Sequence, residues 1–205
     1  MAVASAPPTT SENGIDISTL KRWSLEDYHR LIELGILQPS DHSELIDGYI
    51  CTNMPQNPPH ADAIDNALDY LIRHLPRSAK VRSQSPITLP PNSEPEPDIA
   101  IVARIDGGYR DRHPGPNDIW FIIEIADSTL QSDLTAKANL YARNGIQDYW
   151  VVDVGDRHVW IHRQPSETGY QEIIELEQPE IVKAIVPGLE GVEIDLRSLF
   201  PDSAP

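Results

Sequence analysis

The feature that most constrains this chain is an apolar run that ends in a carboxylate. Ile119 to Ile123 are five consecutive apolar residues, and Glu124 follows them directly. A short, continuous apolar run is typical of a strand buried on both faces. Burying an ionised carboxylate there is costly unless a metal ion, a cationic side chain or a cleft open to water compensates it. Glu124 therefore indicates a functional site.

The segments before this strand predict two helices and a hairpin. A capping-box-like start at Ser24 predicts a helix that ends near Gly35, and Asp47-Gly48 predicts the turn of a β-hairpin. A second helix is predicted over residues 60–75, with His60 on its inward face. Its predicted apolar stripe comprises Ile64, Ala67, Leu68, Leu71, Ile72 and Leu75.

The remaining segments complete a mixed α/β (α+β) fold. A further helix is predicted over residues 132–143 and a short terminal one over residues 195–199. The core order is αβββαβ, with an N-terminal helix and hairpin before it and a C-terminal antiparallel β extension after it. The strands are predicted over residues 81–89, 98–103, 119–125, 148–153, 157–163, 170–176 and 181–186.

Composition bounds the domain count and the compartment. Residues 1–17 are rich in Ala, Ser, Pro and Thr and predict a disordered tail, while residues 18–205 predict a single domain. The single cysteine, Cys51, excludes an internal disulfide and is expected to be a half-buried structural thiol rather than a nucleophile. No apolar run has the length of a membrane span. We expect a cytoplasmic protein without a membrane partner.

The charge distribution bears on nucleic-acid binding. The formal net charge of −16 argues against it, because DNA-binding proteins usually present a basic surface. Residues 70–92 are an exception, since they hold basic side chains and no acidic one. They form either a local basic strip or a solvated helix end and strand edge. The basic residues are Arg73, Arg77, Lys80 and Arg82.

Two carboxylates are predicted to meet at one end of the sheet. Asp98 begins one predicted strand and Glu124 ends the next. If these strands are antiparallel neighbours, about 4.8 Å apart, both side chains can reach one cation. Carboxylates with water and substrate phosphate suit Mg²⁺. The alternative is that Asp98 is a strand-entry residue after Pro97 and that Glu124 pairs with a nearby arginine.

Lys137 is the candidate cation of this site. It lies at the edge of the apolar arc of the helix that follows Glu124, from which it can reach back to the strand end. There it could position an attacking hydroxide or stabilise developing charge on a phosphate. The alternative is a surface lysine paired with Asp133, four residues earlier.

Several motifs together resemble a known family. The segments 44–48, 96–98, 123–129 and 141–153, with His60, Asp133 and Lys137, are similar to the Uma-two family of bacterial restriction endonucleases, which are described as putative. That family belongs to the PD-(D/E)XK nuclease superfamily. The resemblance covers residues 24–163 and implies a restriction endonuclease-like core.

The resemblance also implies roles for particular residues. Asp98 and Glu124 match the two metal carboxylates, but Ala126 stands where the superfamily motif has lysine. Lys137 would supply the missing cation from the following helix. Glu44 and His60 match further family positions and would extend the catalytic site. Superfamily members often pair, which implies a homodimer.

The leading hypothesis is a Mg²⁺-dependent (or Mn²⁺-dependent) endonuclease that hydrolyses phosphodiester bonds of DNA. Its predicted catalytic residues are Asp98, Glu124, Lys137, Glu44 and His60, and its metal ligands are Asp98 and Glu124. The alternative is a non-catalytic or regulatory module that keeps the nuclease fold for binding or assembly. The net charge of −16 and the absence of the motif lysine favour that alternative.

Overall fold

The computed structural model describes residues 19–52, 56–178, 180–186, 188–189 and 191–200. The disordered tail predicted for residues 1–17 lies outside this part of the chain. The helical segments are Leu25–Glu33 (α1), Pro58–His74 (α2), Leu130–Ser132 (α3), a π-helical turn at Asp133–Lys137 and Ala138–Arg143 (α4), with 3₁₀ turns at Pro39–Asp41 and Leu196–Leu199. The strands are Ser43–Ile46 (β1), Tyr49–Thr52 (β2), Ala79–Ser83 (β3), Ile99–Ala103 (β4), Ile119–Ala126 (β5), Asp148–Asp153 (β6), His158–Ser166 (β7), Gly169–Leu176 (β8), Ile181–Lys183 (β9) and Glu193–Asp195 (β10).

Six of the strands form one mixed sheet in the order β3-β4-β5-β6-β7-β8. All neighbours in it are antiparallel except β5 and β6, which are parallel. A parallel pair cannot be joined by a tight turn and needs a crossover connection. The segment from α3 through the π-helical turn to α4 is that crossover. The hairpin β1–β2 and the pair β9–β10 lie outside the main sheet.

The two faces of the sheet carry two separate cores. Ile123 and Ile125 of β5 pack with α2 in one cluster, whereas Ile122 and Ala126 pack with α4 in the other. Side chains alternate between faces along a strand. Glu124, which lies between Ile122 and Ala126, therefore points towards α4. The prediction of a strand buried on both faces is confirmed, since seven of the eight residues of β5 are buried.

The predicted order αβββαβ is confirmed by α2, β3, β4, β5, the crossover helix and β6. The N-terminal helix and the hairpin with its Asp47-Gly48 turn precede this core, as expected. The antiparallel β extension follows it, in β7, β8 and the pair β9–β10. The fold is restriction endonuclease-like.

Three local predictions are wrong. The strand predicted over residues 81–89 is β3 at Ala79–Ser83; Gln84 has a positive φ of 44° and its N–H donates to the carbonyls of Pro97 and Asp98, at 3.2 and 3.1 Å, so the chain leaves the strand there. Ile72 is 65% exposed, because the buried stripe of α2 is narrower than its apolar residues suggest. Cys51 is exposed, since β2 forms the outer part of a surface hairpin.

Candidate active site

Asp98 and Glu124 are joined through the backbone of neighbouring strands. Ile99 pairs with Ile123 in the antiparallel ladder of β4 and β5, so the two acidic residues fall beside each other. The Asp98 N–H donates to Glu124 Oε2 at 3.3 Å, and the Ile125 N–H donates to Asp98 Oδ2 at 2.8 Å. The prediction that both carboxylates meet at one end of the sheet agrees with this geometry.

Glu124 is 2% exposed and has two further donors. Lys137 Nζ lies 3.1 Å from Glu124 Oε1, and the Tyr141 hydroxyl donates to the same oxygen at 2.9 Å. Burial raises the pKa of the Glu124 carboxyl, and the positive charge of Lys137 opposes this rise. The cationic partner of Glu124 is therefore the helix lysine and not an arginine.

The π-helical turn brings Asp133 and Lys137 to the sheet together. Asp133 is 1% exposed, and its Oδ2 accepts a hydrogen bond of 2.6 Å from the Thr129 hydroxyl. Its Oδ1 lies 3.6 Å from Lys137 Nζ. Burial lowers the pKa of Lys137, but Glu124, Glu44, Asp133 and Asp98 offset this and raise it overall. Both pairings considered for Lys137 are thus present, and its amine carries a proton.

His60 joins the site from the first turn of α2. Asn57 caps this helix, because its side-chain oxygen accepts the His60 N–H at 3.0 Å. The imidazole Nε2 lies 3.2 Å from Asp98 Oδ1, and this hydrogen bond raises the pKa of His60. Asn57 also donates to Asp127 Oδ2 at 2.5 Å, which ties the start of α2 to the loop after β5.

Glu44 lies at the edge of this arrangement. It is 4% exposed on β1, and its Oε2 accepts the N–H of Glu96 at 3.0 Å, two residues before Asp98. Its negative charge raises the pKa of Lys137 and of Glu124, although Glu44 is not among the described residues that line the cleft. Its position near the site agrees with the expectation, and its contact is with the backbone that leads into Asp98.

The site opens into a cleft of about 590 Å³. Its described lining includes two histidines, His42 and His60, and one lysine, Lys137. Burial, followed by the charge of Glu44, raises the pKa of one of the lining acids, Glu96. Even so, the four acidic side chains of the lining outnumber its one lysine. Its lining carboxylates are Glu96, Asp98, Glu124 and Asp127.

The surplus of acidic side chains in the lining bears on whether a divalent cation fits the site. Four acidic side chains share this confined space with Lys137 and His60. A divalent cation would favour their ionised forms, including that of Glu124, whose pKa burial raises to about 8. Within the described ranges no group of three or more His, Cys, Asp or Glu side chains is arranged to hold a metal ion unaided. Mg²⁺ needs fewer, because it is commonly bound by one or two carboxylates plus water and substrate phosphates. Asp98 and Glu124 are oxygen donors of that kind, so the residues fit the ion.

The sequence does not predict the contacts of two residues of the site. The helical spacing of Tyr141 predicts a place in the apolar arc of its helix, and the structure adds that its hydroxyl contacts Glu124. Asp133 belongs to the residues that resemble the family and is expected as a surface partner of Lys137, whereas the structure buries it, with Oδ1 3.6 Å from Lys137 Nζ. The spacing of Asp133, Lys137 and Tyr141 at intervals of four was the available signal, since such residues share one helix face.

The fold and the cleft together define the class: a mixed α/β domain of restriction endonuclease-like architecture with paired carboxylates at adjacent strands. The chain belongs to the Uma2 family, whose family model, described as "Putative restriction endonuclease", matches residues 25–197. The resemblance noted in the sequence is confirmed.

A solved structure has the same fold. It is described as the crystal structure of a putative nuclease belonging to DUF820 from Anabaena variabilis ATCC 29413, and it superposes with a TM-score of 0.66 at 21% sequence identity. The similarity covers 86% of this chain and 97% of that one. No protein with a curated description matches the sequence significantly. In the part of the chain that the structure describes, none of the helices combines the length and hydrophobicity needed to cross a bilayer.

Proposed function

We propose that the chain is a metal-dependent endonuclease that hydrolyses phosphodiester bonds of DNA with Mg²⁺ or Mn²⁺. The observation that carries the proposal is the convergence of Asp98, Glu124 and Lys137, from three different elements, on one cleft. The description of the Uma2 family and that of the Anabaena variabilis protein support a nuclease. Neither description names the metal or the nucleic acid, so Mg²⁺ or Mn²⁺ and DNA are part of our proposal.

Asp98 and Glu124 would hold the metal. When bound, Mg²⁺ supplies a more acidic water and neutralises charge on the phosphate. Both carboxylates are already oriented by the protein, since Asp98 is fixed by the Ile125 N–H and His60, and Glu124 by Tyr141 and Lys137. Such preorganisation limits the reorganisation needed at the moment of reaction.

Lys137 acts as a charged donor in this proposal. Burial lowers its pKa, but the surrounding carboxylates raise it overall, which favours the protonated amine and a donor role over that of a general base. A protonated amine at the cleft wall can donate to a non-bridging phosphate oxygen or hold the attacking water in place. Asp133 helps to position the amine, since its Oδ1 lies 3.6 Å from Lys137 Nζ.

His60 and Glu44 have supporting roles. His60 is held at Asp98 by a hydrogen bond that favours its protonated form, and it faces the cleft, where a cationic imidazole can contact a phosphate. Glu44 fixes the backbone of Glu96 and thereby the approach of the chain to Asp98. Both residues belong to the predicted catalytic set, His60 by direct contact and Glu44 through the backbone.

The test is a cleavage assay with the purified full chain, supercoiled and linear DNA, and 5 mM Mg²⁺ or Mn²⁺. The proposal expects cleavage that EDTA abolishes and that Asp98→Asn reduces by at least about 100-fold. Asp69→Asn, which neutralises an exposed carboxylate paired with Arg73, is the control and should cut like the wild type. Equal cleavage by Asp98→Asn would refute the assignment.

A non-catalytic or regulatory binding module is the second candidate. The net charge of −16 and Ala126 at the motif position favour it. It expects DNA to remain intact with every divalent metal while the fold and its oligomeric state are retained. Cleavage that depends on Asp98 would exclude it.

A homodimer is part of the proposal by resemblance alone. The edge strand β8 carries Ile173, which is 57% exposed, and an exposed apolar residue on an unpaired edge is compatible with self-association. Light scattering over a range of concentrations measures the mass directly. A monomer at all concentrations would remove the dimer from the proposal without affecting the chemistry.

A further inference from the structure

A cluster of cations surrounds one aromatic ring beside the candidate active site. The Tyr109 ring centroid lies 5.9 Å from Lys80 Nζ, 5.8 Å from Arg82 Cζ and 5.3 Å from Arg112 Cζ. Tyr109 is itself fixed, because its hydroxyl donates to the Ala103 carbonyl at 2.7 Å. We call Lys80, Arg82, Tyr109 and Arg112 the Tyr109 patch.

Most of this positive charge has no acidic partner. Arg112 forms an ion pair with Asp118, whereas the Arg82 guanidinium donates to a backbone carbonyl, that of Pro86, in the described part of the chain. Among the described residues Lys80 has neither an ion pair nor a side-chain hydrogen bond.

One hydrogen-bond donor of the Arg82 guanidinium is also unpaired. Its Nε is buried and lacks an acceptor within the described ranges. Burial also lowers the pKa of its guanidinium, and Tyr109 opposes this effect. Three like charges gathered around one ring, with an ion pair at Arg112 among them, favour the binding of an anion.

The patch lies on the same face of the sheet as Glu124. Arg82 pairs with Ala100 across β3 and β4, and Ala100 pairs with Ile122 across β4 and β5. Directly paired residues share a face, and Glu124 follows Ile122 by two positions on that face. Tyr109 packs against the same core cluster as Ile122. Two strand spacings, about 10 Å, separate the strand of Arg82 from that of Glu124.

The end of β3 links the patch to the cleft. Gln84 follows this strand directly, bonds through its N–H to the Asp98 carbonyl at 3.1 Å, and lines the cleft. A chain of phosphates lying along β3 would therefore pass from the cationic patch to the carboxylates. A polymer with evenly spaced negative charges and stackable bases matches cations arranged around an aromatic ring.

We infer that the Tyr109 patch is the docking surface for a nucleic-acid strand, whose phosphates contact Lys80 and Arg82 and whose neighbouring phosphodiester reaches Asp98 and Glu124. This inference rests on the proposed function, because it assigns the strand that the same cleft would cut. It explains how a chain with a net charge of −16 binds a polyanion: the attraction is local and is confined to one sheet edge.

The experiment measures binding and not cleavage. Fluorescence anisotropy of a fluorescein-labelled single-stranded DNA, and of its duplex, is recorded in EDTA with the full chain. We expect Lys80→Glu to weaken binding about tenfold at 50 mM salt, and Lys80→Gln to lower the slope of log K against log salt by about 1. Arg30→Glu, at an exposed position of α1 outside the Tyr109 patch, carries the same charge change and should alter the affinity less than twofold.

The alternatives are distinguishable. Equal weakening by Lys80→Glu and Arg30→Glu, or no binding by the wild type, would overturn the inference. Displacement of the DNA by poly-glutamate at the same charge concentration would also overturn it, because the patch would then accept any polyanion. Circular dichroism of Lys80→Gln verifies that the fold is intact. DNA binding that depends on the patch, without cleavage, supports the docking surface and rejects the proposed nuclease activity. Cleavage by Lys80→Gln with an unchanged KM supports the nuclease activity and rejects the docking surface.

Discussion

Lys137 Nζ and Glu124 Oε1 lie 3.1 Å apart, although thirteen residues separate them in the chain. The contact joins the crossover helix to the central strand inside the protein, where Glu124 is 2% exposed. A buried pair of this kind is expensive to break on one side only, because the remaining charge loses its compensation. It is therefore the most informative target in the molecule.

Lys137→Met should reduce DNA cleavage by at least about 100-fold, since a charged donor is lost from the cleft. Its removal also eliminates the charge that opposes the rise in the pKa of Glu124, so that carboxyl takes up a proton more readily. The free energy of unfolding should fall by up to about 3–5 kcal/mol, and by less where Glu124 becomes neutral. Lys183→Met, at a lysine with a 74% exposed side chain, is the matched control for both single-turnover cleavage and urea unfolding. Wild-type cleavage by Lys137→Met would contradict the proposed role.

Metal binding should appear as thermal stabilisation that requires Glu124. At a Mg²⁺ concentration ten times its Kd, the native state gains about 1.4 kcal/mol, which corresponds to a rise in Tm of roughly 3–6 °C for a chain of this size. Glu124→Gln preserves the shape of the side chain and should lose this rise, while Asp69→Asn should keep it. Differential scanning fluorimetry with and without EDTA measures both. A full rise in Glu124→Gln would show that the metal binds elsewhere.

Tyr141→Phe removes one of the two hydrogen-bond donors to Glu124 Oε1. We expect a loss of about 1–2 kcal/mol in the free energy of unfolding, because a buried acceptor loses a partner, and a fall in cleavage of about tenfold or less. Tyr170→Phe is the control, since its hydroxyl donates to the Ile146 carbonyl, away from the cleft, at 2.9 Å. It should lose stability and keep its cleavage rate. Equal cleavage by both variants would mean that Tyr141 has only a structural role.

His162 should contribute to acid destabilisation. It is 2% exposed between Tyr149 and Tyr170, and burial lowers its pKa below the ordinary value of 6.5. As the pH falls below about 6.5, the unfolded chain takes up this proton first, so the folded state loses up to about 1.4 kcal/mol per pH unit until the folded pKa is reached. His162→Phe should flatten this part of the profile. Urea unfolding between pH 7 and 5 measures it, with His74→Phe as the exposed control; parallel profiles for His162→Phe and the wild type would disprove the contribution.

The meeting of Asp98 and Glu124 could be predicted because it depends on local patterns. The apolar run before Glu124 and the Pro97-Asp98 entry define two strand ends, and antiparallel pairing of consecutive strands brings such ends together. The order of the core elements follows from the same apolar patterns. Strand β3 was placed too far along the chain because the positive φ of Gln84 has no distinctive signature in a Ser-Gln-Ser segment.

The contacts of the crossover helix could not be predicted in the same way. An α-helix was expected throughout residues 132–143, whereas a wide π-helical turn at Asp133–Lys137 sets which side chains reach the sheet. Such a turn depends on tertiary packing, including the Tyr149 hydroxyl that donates to the Asp133 carbonyl at 3.0 Å. Glu44 is a similar case, because its partner, the Glu96 N–H, is 52 residues away. No local pattern encodes that distance.

The parallel pairing of β5 and β6 has a consequence for the surroundings of Glu124. It obliges the chain to cross over the very face from which Glu124 projects, so strand and crossover helix border the same small volume. Ala126, buried on that face two residues after Glu124, and Lys137 on the helix are two points of entry into it. A lysine placed at either position would therefore border the volume next to Glu124.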